Sequence, residues 1–276
     1  MPYLKTTAAP ATDLYFEDSG GTGTPVVLIH GWPLSGRMWE GTVNALTAAG
    51  YRCITYDRRG FGQSGRATGG YDYDTFASDL EDVLRETGAE RAVLVGFSMG
   101  GGEVARYVGR YGEGRVQKIV LAGAVTPFLL KTADNPDGVP GAQFEGMRAA
   151  VTKDRIGFLN TFFPLFYKGG LLAPKASDDD ILHSKTIAWP ASPLGTQQCI
   201  TAFGETDFRA DLARVTVPTL VVHGDDDAVV PFAKSGQRVP EFVGHAEVHT
   251  IGGAPHGFTV THGDKFSEIL LKFLDG

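Results

Sequence analysis

Ser98 lies in a Gly-x-Ser-x-Gly pattern, with glycines two residues before it and two residues after it. A short apolar run, 92–95, precedes the pattern, and a helix-like pattern, 103–111, follows it. A sharp turn from strand to helix strains the serine backbone and leaves no room for side chains at the flanking positions. The serine hydroxyl would then stand above the edge of a sheet, within reach of a base. This is the arrangement that a nucleophile for acyl transfer needs.

Met99, the residue after this serine, contributes a backbone N–H at the start of the predicted helix. The N-terminus of a helix carries a positive potential, which favours the negative charge that develops on a carbonyl oxygen during acyl transfer. The sequence therefore predicts that the Met99 N–H is one donor of an oxyanion hole.

Acyl transfer by a serine also requires a base for the hydroxyl and an acid that orients that base. Three consecutive aspartates, Asp225 to Asp227, follow an apolar run that begins at residue 218. His256 follows a further predicted strand, 247–251. Three other histidines compete for the role of base. His30 and His223 lie in strand-end motifs, where each is expected to pack and hydrogen-bond beneath the active-site loops, and His262, just before the last helix, is expected to be a surface or capping residue.

Composition excludes several classes of function. The net charge of −7 leaves no basic face for a polyphosphate, so nucleic-acid binding is not expected. The sequence has no apolar stretch of about 18 residues and no signal-peptide pattern at its start, which predicts a cytoplasmic protein that does not cross a membrane. Two cysteines, Cys53 and Cys199, are too few for a disulfide framework and lack the spacing of a metal site.

The elements that would position these residues alternate between strand and helix. The apolar run 26–29 is typical of a strand buried on both faces. This alternation predicts right-handed crossovers and a doubly wound, mostly parallel, eight-stranded α/β sheet, with ligands bound beyond the carboxyl ends of the strands. The predicted strands are two antiparallel ones within 4–17, followed by 26–29, 52–57, 92–95, 117–122, one from 218, and 247–251. In the loop after 52–57, Asp57 and Arg58 are expected to form an ion pair that braces the loop.

Residues 126–212 interrupt this rhythm with helix-like segments rich in aromatic residues. They are predicted to form a helical cap inserted between the two parts of the core, 1–125 and 213–276. Most of the aromatic side chains are expected to pack the cap onto the core, and the rest to line an apolar acyl or aryl pocket. The acidic run 178–180 is interpreted as a helix start rather than as a metal site.

Five blocks in this order resemble the α/β-hydrolase superfamily over nearly the full length. Within that superfamily the sequence is similar to the cofactor-free bacterial haloperoxidases, also called perhydrolases, and to the related aryl esterases. The blocks are His30-Gly31-Trp32-Pro33, Tyr56 to Ser64, Gly96 to Gly102, Val222 to Asp227, and Ala254 to Phe258.

The resemblance implies a role for each matching residue. Ser98 is the expected nucleophile, His256 the general base and then acid, and Asp227 the carboxylate that fixes the imidazole tautomer. The family pattern places the oxyanion donors at the backbone N–H groups of Trp32 and Met99. Likeness to the family and apolar character together suggest four pocket residues: Phe128, Phe162, Phe166 and Val229.

The expected activity is hydrolysis of small carboxylic esters through an acyl-enzyme that water or hydrogen peroxide clears, without a metal or an organic cofactor. We also expect the Trp32 carbonyl, directed by Pro33, to accept a hydrogen bond from the attacking peroxide. The resemblance leaves a homo-oligomeric assembly open. Hydrolysis of a lactone or lactam by the same three residues and a role as a small-molecule receptor are the alternatives. Dehalogenases and epoxide hydrolases of this fold use an aspartate where Ser98 stands.

Overall fold

The computed structural model describes residues 2–172 and 175–276. Eight strands form one sheet in the order β1-β2-β4-β3-β5-β6-β7-β8, which confirms the predicted eight-stranded doubly wound sheet. The strands are β1 (Tyr3–Lys5), β2 (Asp13–Asp18), β3 (Pro25–Ile29), β4 (Arg52–Tyr56), β5 (Ala92–Phe97), β6 (Val116–Ala122), β7 (Thr219–Gly224) and β8 (Glu247–Ile251).

The sheet is antiparallel at one edge and parallel across the rest. Strand β2 pairs antiparallel with both β1 and β4, whereas the pairs from β4 through β3, β5, β6 and β7 to β8 are parallel. Every residue of β5 and of β7 is buried, because helices cover both faces of the central sheet. The carboxyl ends of the parallel strands therefore meet at a common edge.

The helices of the core are α1 (Glu40–Ala48), α2 (Tyr73–Thr87), α3 (Met99–Tyr111), α8 (Phe258–Thr261) and α9 (Gly263–Asp275). Helix α2 ends at Gly88, which takes the left-handed conformation at a φ of 60°. Helix α3 begins four residues before its apolar pattern does, because the three glycines in its first turn contribute nothing to that pattern. Those glycines allow close packing: a Cβ at position 101 would collide with Ala124, and one at position 102 with Phe208 and Tyr73.

The described residues between β6 and β7 form four helices, namely α4 (Gly141–Phe166), α5 (Asp178–Ala188), α6 (Pro193–Glu205) and α7 (Arg209–Leu212). Asp154 interrupts α4 with non-helical backbone angles, and its carboxylate accepts a hydrogen bond from the Gly157 N–H, so a second helical segment starts there. The acidic run 178–180 begins α5 behind a capping box formed with Ser177, as expected for a helix start. Within the two described ranges, none of the helices is long and apolar enough to cross a membrane.

Two local expectations are wrong. The sequence pattern of 232–243 predicts a helical segment, but the chain forms two short 3₁₀ turns there, Phe232–Lys234 and Gly236–Glu241, separated by Ser235 in a non-helical conformation. Asp57 and Arg58 do not brace their loop as a pair. The Asp57 carboxylate accepts backbone N–H groups of Gly36 and Gln63, whereas Arg58 forms a fully buried ion pair with Glu103 on α3.

Both cysteines are buried thiols, one on β4 and the other on α6. Burial raises the pKa of Cys53 to about 11 and that of Cys199 to about 12. The reactive thiolate form is therefore scarce at neutral pH. The two residues act as small core side chains, as the strand pattern around Cys53 indicates.

Candidate active site

Ser98 occupies a single-residue turn between the end of β5 and the start of α3. Its φ of 54° and ψ of −117° lie outside the regions that a residue with a Cβ prefers. The flanking glycines make the turn feasible. A Cβ at Gly96 would collide with the backbone of Gly100, and one at Gly100 would collide with the carbonyl oxygen of Ile29. The predicted strand, turn and helix are confirmed.

The side chains that follow β5, β7 and β8 meet at the carboxyl edge of the sheet. The Oγ of Ser98 lies 2.9 Å from Nε2 of His256, and Nδ1 of His256 lies 2.6 Å from Oδ2 of Asp227. A carboxylate can only accept, so the imidazole proton lies on Nδ1 and the Nε2 lone pair faces the serine hydroxyl. This arrangement can remove a proton from Ser98.

Asp227 is held by more than the imidazole. Its Oδ1 accepts hydrogen bonds from the backbone N–H groups of Val229, at 2.9 Å, and Val230, at 2.7 Å. Nε2 of His223 lies 3.3 Å from Oδ2. Burial alone would raise the pKa of Asp227, but the neighbouring His256 and His223 outweigh burial and hold that pKa well below its usual range. The carboxylate therefore stays ionised at neutral pH.

The two aspartates that precede Asp227 are exposed to solvent, and the carboxylate of Asp225 accepts the backbone N–H of Gly253. The competing histidines also have other partners. The Nε2 of His223 lies 2.8 Å from the carbonyl oxygen of Val230, and His262 lies at the start of α9. Of the sequence-based candidates, the structure brings Ser98, His256 and Asp227 together.

Aromatic rings hold the His256 imidazole in place. The Phe97 ring packs against it at 4.9 Å between centroids, and the Phe166 ring lies perpendicular to it at the same centroid distance. The backbone N–H of Gly257 donates to the carbonyl of Phe166 at 2.8 Å, which ties the histidine loop to α4. The imidazole is 1 % exposed, so its orientation is set by packing as well as by Asp227.

Ser98 and His256 lie in the wall of a cavity of about 230 Å³. Phe162 and Val229 line this cavity, as expected, but Phe128 and Phe166 lie outside its lining, which corrects the expectation for those two residues. Phe128 is buried beside Arg209, whose guanidinium carbon lies 5.1 Å from the ring centroid. Phe166 packs against the imidazole instead.

The sequence reasoning missed most of the apolar lining. One helical face of α4 supplies four residues at positions 158, 161, 162 and 165, which have the spacing i, i+3, i+4 and i+7 of a single face. That periodicity is present in the sequence and could have indicated which face of this helical segment, just after Asp154, points into the cavity. Two more large lining side chains, Phe144 and Met147, come from α4 before the break at Asp154, and the others come from separate segments: Trp32, Leu129, Val139 and Phe203.

The two predicted oxyanion donors flank Ser98. Met99 is the first residue of α3, and Trp32 follows Gly31, where a Cβ would lie 3.0 Å from the Cβ of Ser98. The Trp32 indole N–H donates to the Thr196 carbonyl at 3.0 Å and its ring packs against Phe162. The Trp32–Pro33 peptide bond is cis. The donor roles of the two N–H groups remain predictions.

Comparison with known proteins agrees with this architecture. The family model described as alpha/beta hydrolase fold matches residues 24–262. The chain is 41% identical over 271 residues to the non-heme chloroperoxidase CPO-A1 of Kitasatospora aureofaciens, covering 98% of both chains. It is 36% identical over 275 residues to the bifunctional esterase/perhydrolase DCH of Acinetobacter calcoaceticus, covering 97% of this chain and 98% of that protein.

Among solved structures, the bromoperoxidase from Bacillus anthracis superposes with a TM-score of 0.94 at 49% identity, covering 99% of this chain and 100% of that one. The chain therefore belongs to the alpha/beta hydrolase fold family. It is an enzyme of this family, with non-heme haloperoxidases and esterases among its relatives.

Proposed function

We propose that the protein is a serine hydrolase that acts on small carboxylic esters through an acyl-enzyme. The observation that carries this proposal is the chain of contacts from Asp227 through His256 to Ser98 in the wall of the apolar cavity. As Oγ attacks the ester carbonyl, Nε2 of His256 takes the hydroxyl proton and then gives it to the leaving alkoxide. The Asp227 carboxylate stabilises the imidazolium that forms between these two transfers.

The attack converts the carbonyl oxygen into an oxyanion that needs donors. The backbone N–H of Met99 stands at the N-terminus of α3, and that of Trp32 lies in the loop beside Ser98. Hydrogen bonds from these two groups would favour the tetrahedral intermediate over the planar ester, which is the differential binding that catalysis requires.

The cavity supports a small and neutral acyl group as the substrate. Its volume of about 230 Å³ equals that of roughly eight water molecules at about 30 Å³ each. Apart from His256, the lining residues in the described part of the chain carry no ionisable side chain, so a charged acyl group would lose its hydration without compensation. In this proposal the region 126–212 acts as a cap that supplies much of the lining.

Hydrogen peroxide is the proposed second acceptor of the acyl group, because close relatives are described as haloperoxidases and as an esterase/perhydrolase. Peroxide would attack the acyl-enzyme, lose a proton to His256 and leave as a peroxycarboxylic acid while Ser98 regains its hydroxyl. The peracid then oxidises halide in solution, so the halogenation step does not occur on the protein.

The Pro33→Leu variant tests the proposed role of the Trp32 carbonyl in perhydrolysis. Acetic acid and peracetic acid are measured together from one acetate ester in the presence of hydrogen peroxide. In the wild type we expect peracetic acid to form at a rate comparable to or above that of acetic acid. In the variant the ratio of peracetic acid to acetic acid should be lower by about fivefold, which corresponds to the loss of one neutral hydrogen bond of ~1 kcal/mol. An unchanged ratio would contradict the carbonyl role, and a wild type that forms acetic acid alone would leave an esterase without perhydrolase activity.

A further inference from the structure

The orientation of the Trp32 N–H depends on a carbonyl group one residue earlier. The Gly31 carbonyl and the Trp32 N–H belong to one planar peptide unit, in which the two bonds point in opposite directions. The Gly31 oxygen accepts a hydrogen bond from the backbone N–H of Leu34 at 3.0 Å and contacts Nδ1 of His30 at 2.9 Å. Whatever holds this carbonyl therefore also aims the Trp32 N–H.

The partners of the His30 ring select a single tautomer. Its Nε2 lies 2.9 Å from the backbone N–H of Arg58, which can only donate. Nε2 must therefore be the acceptor, and the ring proton lies on Nδ1, where it donates to the Gly31 oxygen. His30 is fully buried, and burial together with the nearby Arg58 guanidinium lowers the pKa of the ring well below its usual value. The imidazole is therefore neutral at pH 7.

The Arg58 side chain connects the same loop to α3. Its Nη2 donates to the His30 carbonyl at 2.9 Å, and its Nε donates to the Glu103 carboxylate at 2.8 Å. Glu103 also accepts the hydroxyl of Tyr56 and lies on the helix that Met99 begins. The segment that carries the Trp32 N–H is thus linked to the helix that carries the Met99 N–H through a fully buried ion pair.

We propose that His30 is a positioning residue of the oxyanion hole: its Nδ1–H holds the Gly31–Trp32 peptide with the Trp32 N–H directed at the substrate. Without this hydrogen bond the Gly31 oxygen keeps, among its partners in the described structure, the Leu34 N–H alone, so the peptide rotates more easily and can turn its carbonyl oxygen toward the developing negative charge. The inference rests on the proposed hydrolase function and adds to it a group that does not touch the substrate.

Two substitutions separate the roles of the two ring nitrogens. In His30→Asn the side-chain amide takes the position of Nδ1 and can still donate to Gly31, but it leaves the Arg58 N–H unpaired. In His30→Gln the longer side chain reaches the position of Nε2 and can accept from Arg58, but it leaves the Gly31 oxygen without its side-chain donor. The measurements are kcat and KM for an acetate ester, the affinity for a boronic acid that becomes a tetrahedral anion on Ser98, and the Tm.

We expect His30→Gln to lower kcat/KM by about 10²-fold, mainly through kcat, and to weaken boronic acid binding in parallel, as for loss of one oxyanion donor. His30→Asn should stay within about fivefold of the wild type although its Tm falls, because an unpaired buried N–H is costly. The variant with the larger loss of activity, His30→Gln, would then differ from the variant with the larger loss of stability, His30→Asn. If His30 had a purely structural role, the same variant would lose more of both.

Wild-type kcat/KM and boronic acid affinity in His30→Gln would overturn the proposal, and so would equal losses in both variants. If neither variant folds, long-range ¹H–¹⁵N spectra of the wild type decide: a proton on Nδ1 of His30 supports the proposal, and a proton on Nε2 overturns it. Wild-type turnover no faster than that of Ser98→Ala would instead refute the proposed hydrolase function, and this inference with it.

Discussion

Replacing Ser98 with alanine is expected to abolish ester hydrolysis and peracid formation together, with a fall in kcat of about 10⁴ to 10⁶-fold. Both reactions pass through the same acyl-enzyme in the proposed mechanism, and alanine has no atom that can carry the acyl group. The serine hydroxyl contacts His256 in the structure and is not part of the packed core around β5, so the fold should persist. The two rates are measured on one preparation, with and without hydrogen peroxide.

Thr161→Ala is the matched control for this variant. Thr161 lines the same cavity, and its hydroxyl donates to the Phe158 carbonyl within α4 rather than to His256. This change removes a hydroxyl from the cavity wall and should leave both rates within a few-fold of the wild type. If Ser98→Ala kept one or both activities at the level of the control, Ser98 would not be the nucleophile that the two reactions share, and the mechanism would be wrong.

Replacing Asp227 with asparagine is expected to lower kcat by about 10⁴-fold while leaving the loop intact. The asparagine oxygen can still accept the backbone N–H groups of Val229 and Val230. Its amide N–H₂, however, would donate to Nδ1 of His256 and move the ring proton to Nε2, where it blocks removal of the serine proton. The Michaelis constant should change little, because Asp227 is outside the cavity lining.

Asp226→Asn provides the comparison, since this neighbouring carboxylate is exposed and Asp227 alone of the three consecutive aspartates contacts His256 in the described structure. We expect it to retain the wild-type rate. A comparable loss in both variants would indicate that the negative charge of the loop matters rather than the imidazole tautomer. A kcat for Asp227→Asn within tenfold of the wild type would remove Asp227 from the mechanism.

Much of the sheet could be predicted because parallel strands buried on both faces give continuous apolar runs. The turn at Ser98 could be predicted for a similar reason, since its steric demands are local and leave glycines at fixed positions. The apolar pattern of α3 starts four residues after the helix itself, because Gly100 to Gly102 are poor helix formers. Their value lies in close packing, against the Ile29 carbonyl oxygen for the first, Ala124 for the second, and Phe208 and Tyr73 for the third. The limits of the cap, 126–212, remain a prediction.

The contacts that could not be predicted join residues far apart in the chain. Arg58 was assigned to the adjacent Asp57, but its carboxylate partner is Glu103, 45 residues away. His30 is expected from the sequence to pack and hydrogen-bond beneath the active-site loops, but its partner Arg58 N–H, 28 residues away, could not be named, because that contact forms only when the loop after β4 lies beside the loop after β3. The residues that line the pocket could not be predicted for a related reason. The aromatic side chains of the region 126–212 are chemically alike, and which of them face the cavity depends on where α4 crosses the sheet.

The most direct test of the proposed mechanism is the mass of the protein during turnover. The wild type is mixed with p-nitrophenyl acetate, quenched in acid within milliseconds, and analysed intact and after digestion. The mechanism predicts a fraction of the protein heavier by one acetyl group, located on Ser98 and absent from Ser98→Ala. Acetyl groups on another residue, or steady turnover by a protein that never carries an acetyl group even with deacylation slowed at low pH, would contradict a serine acyl-enzyme.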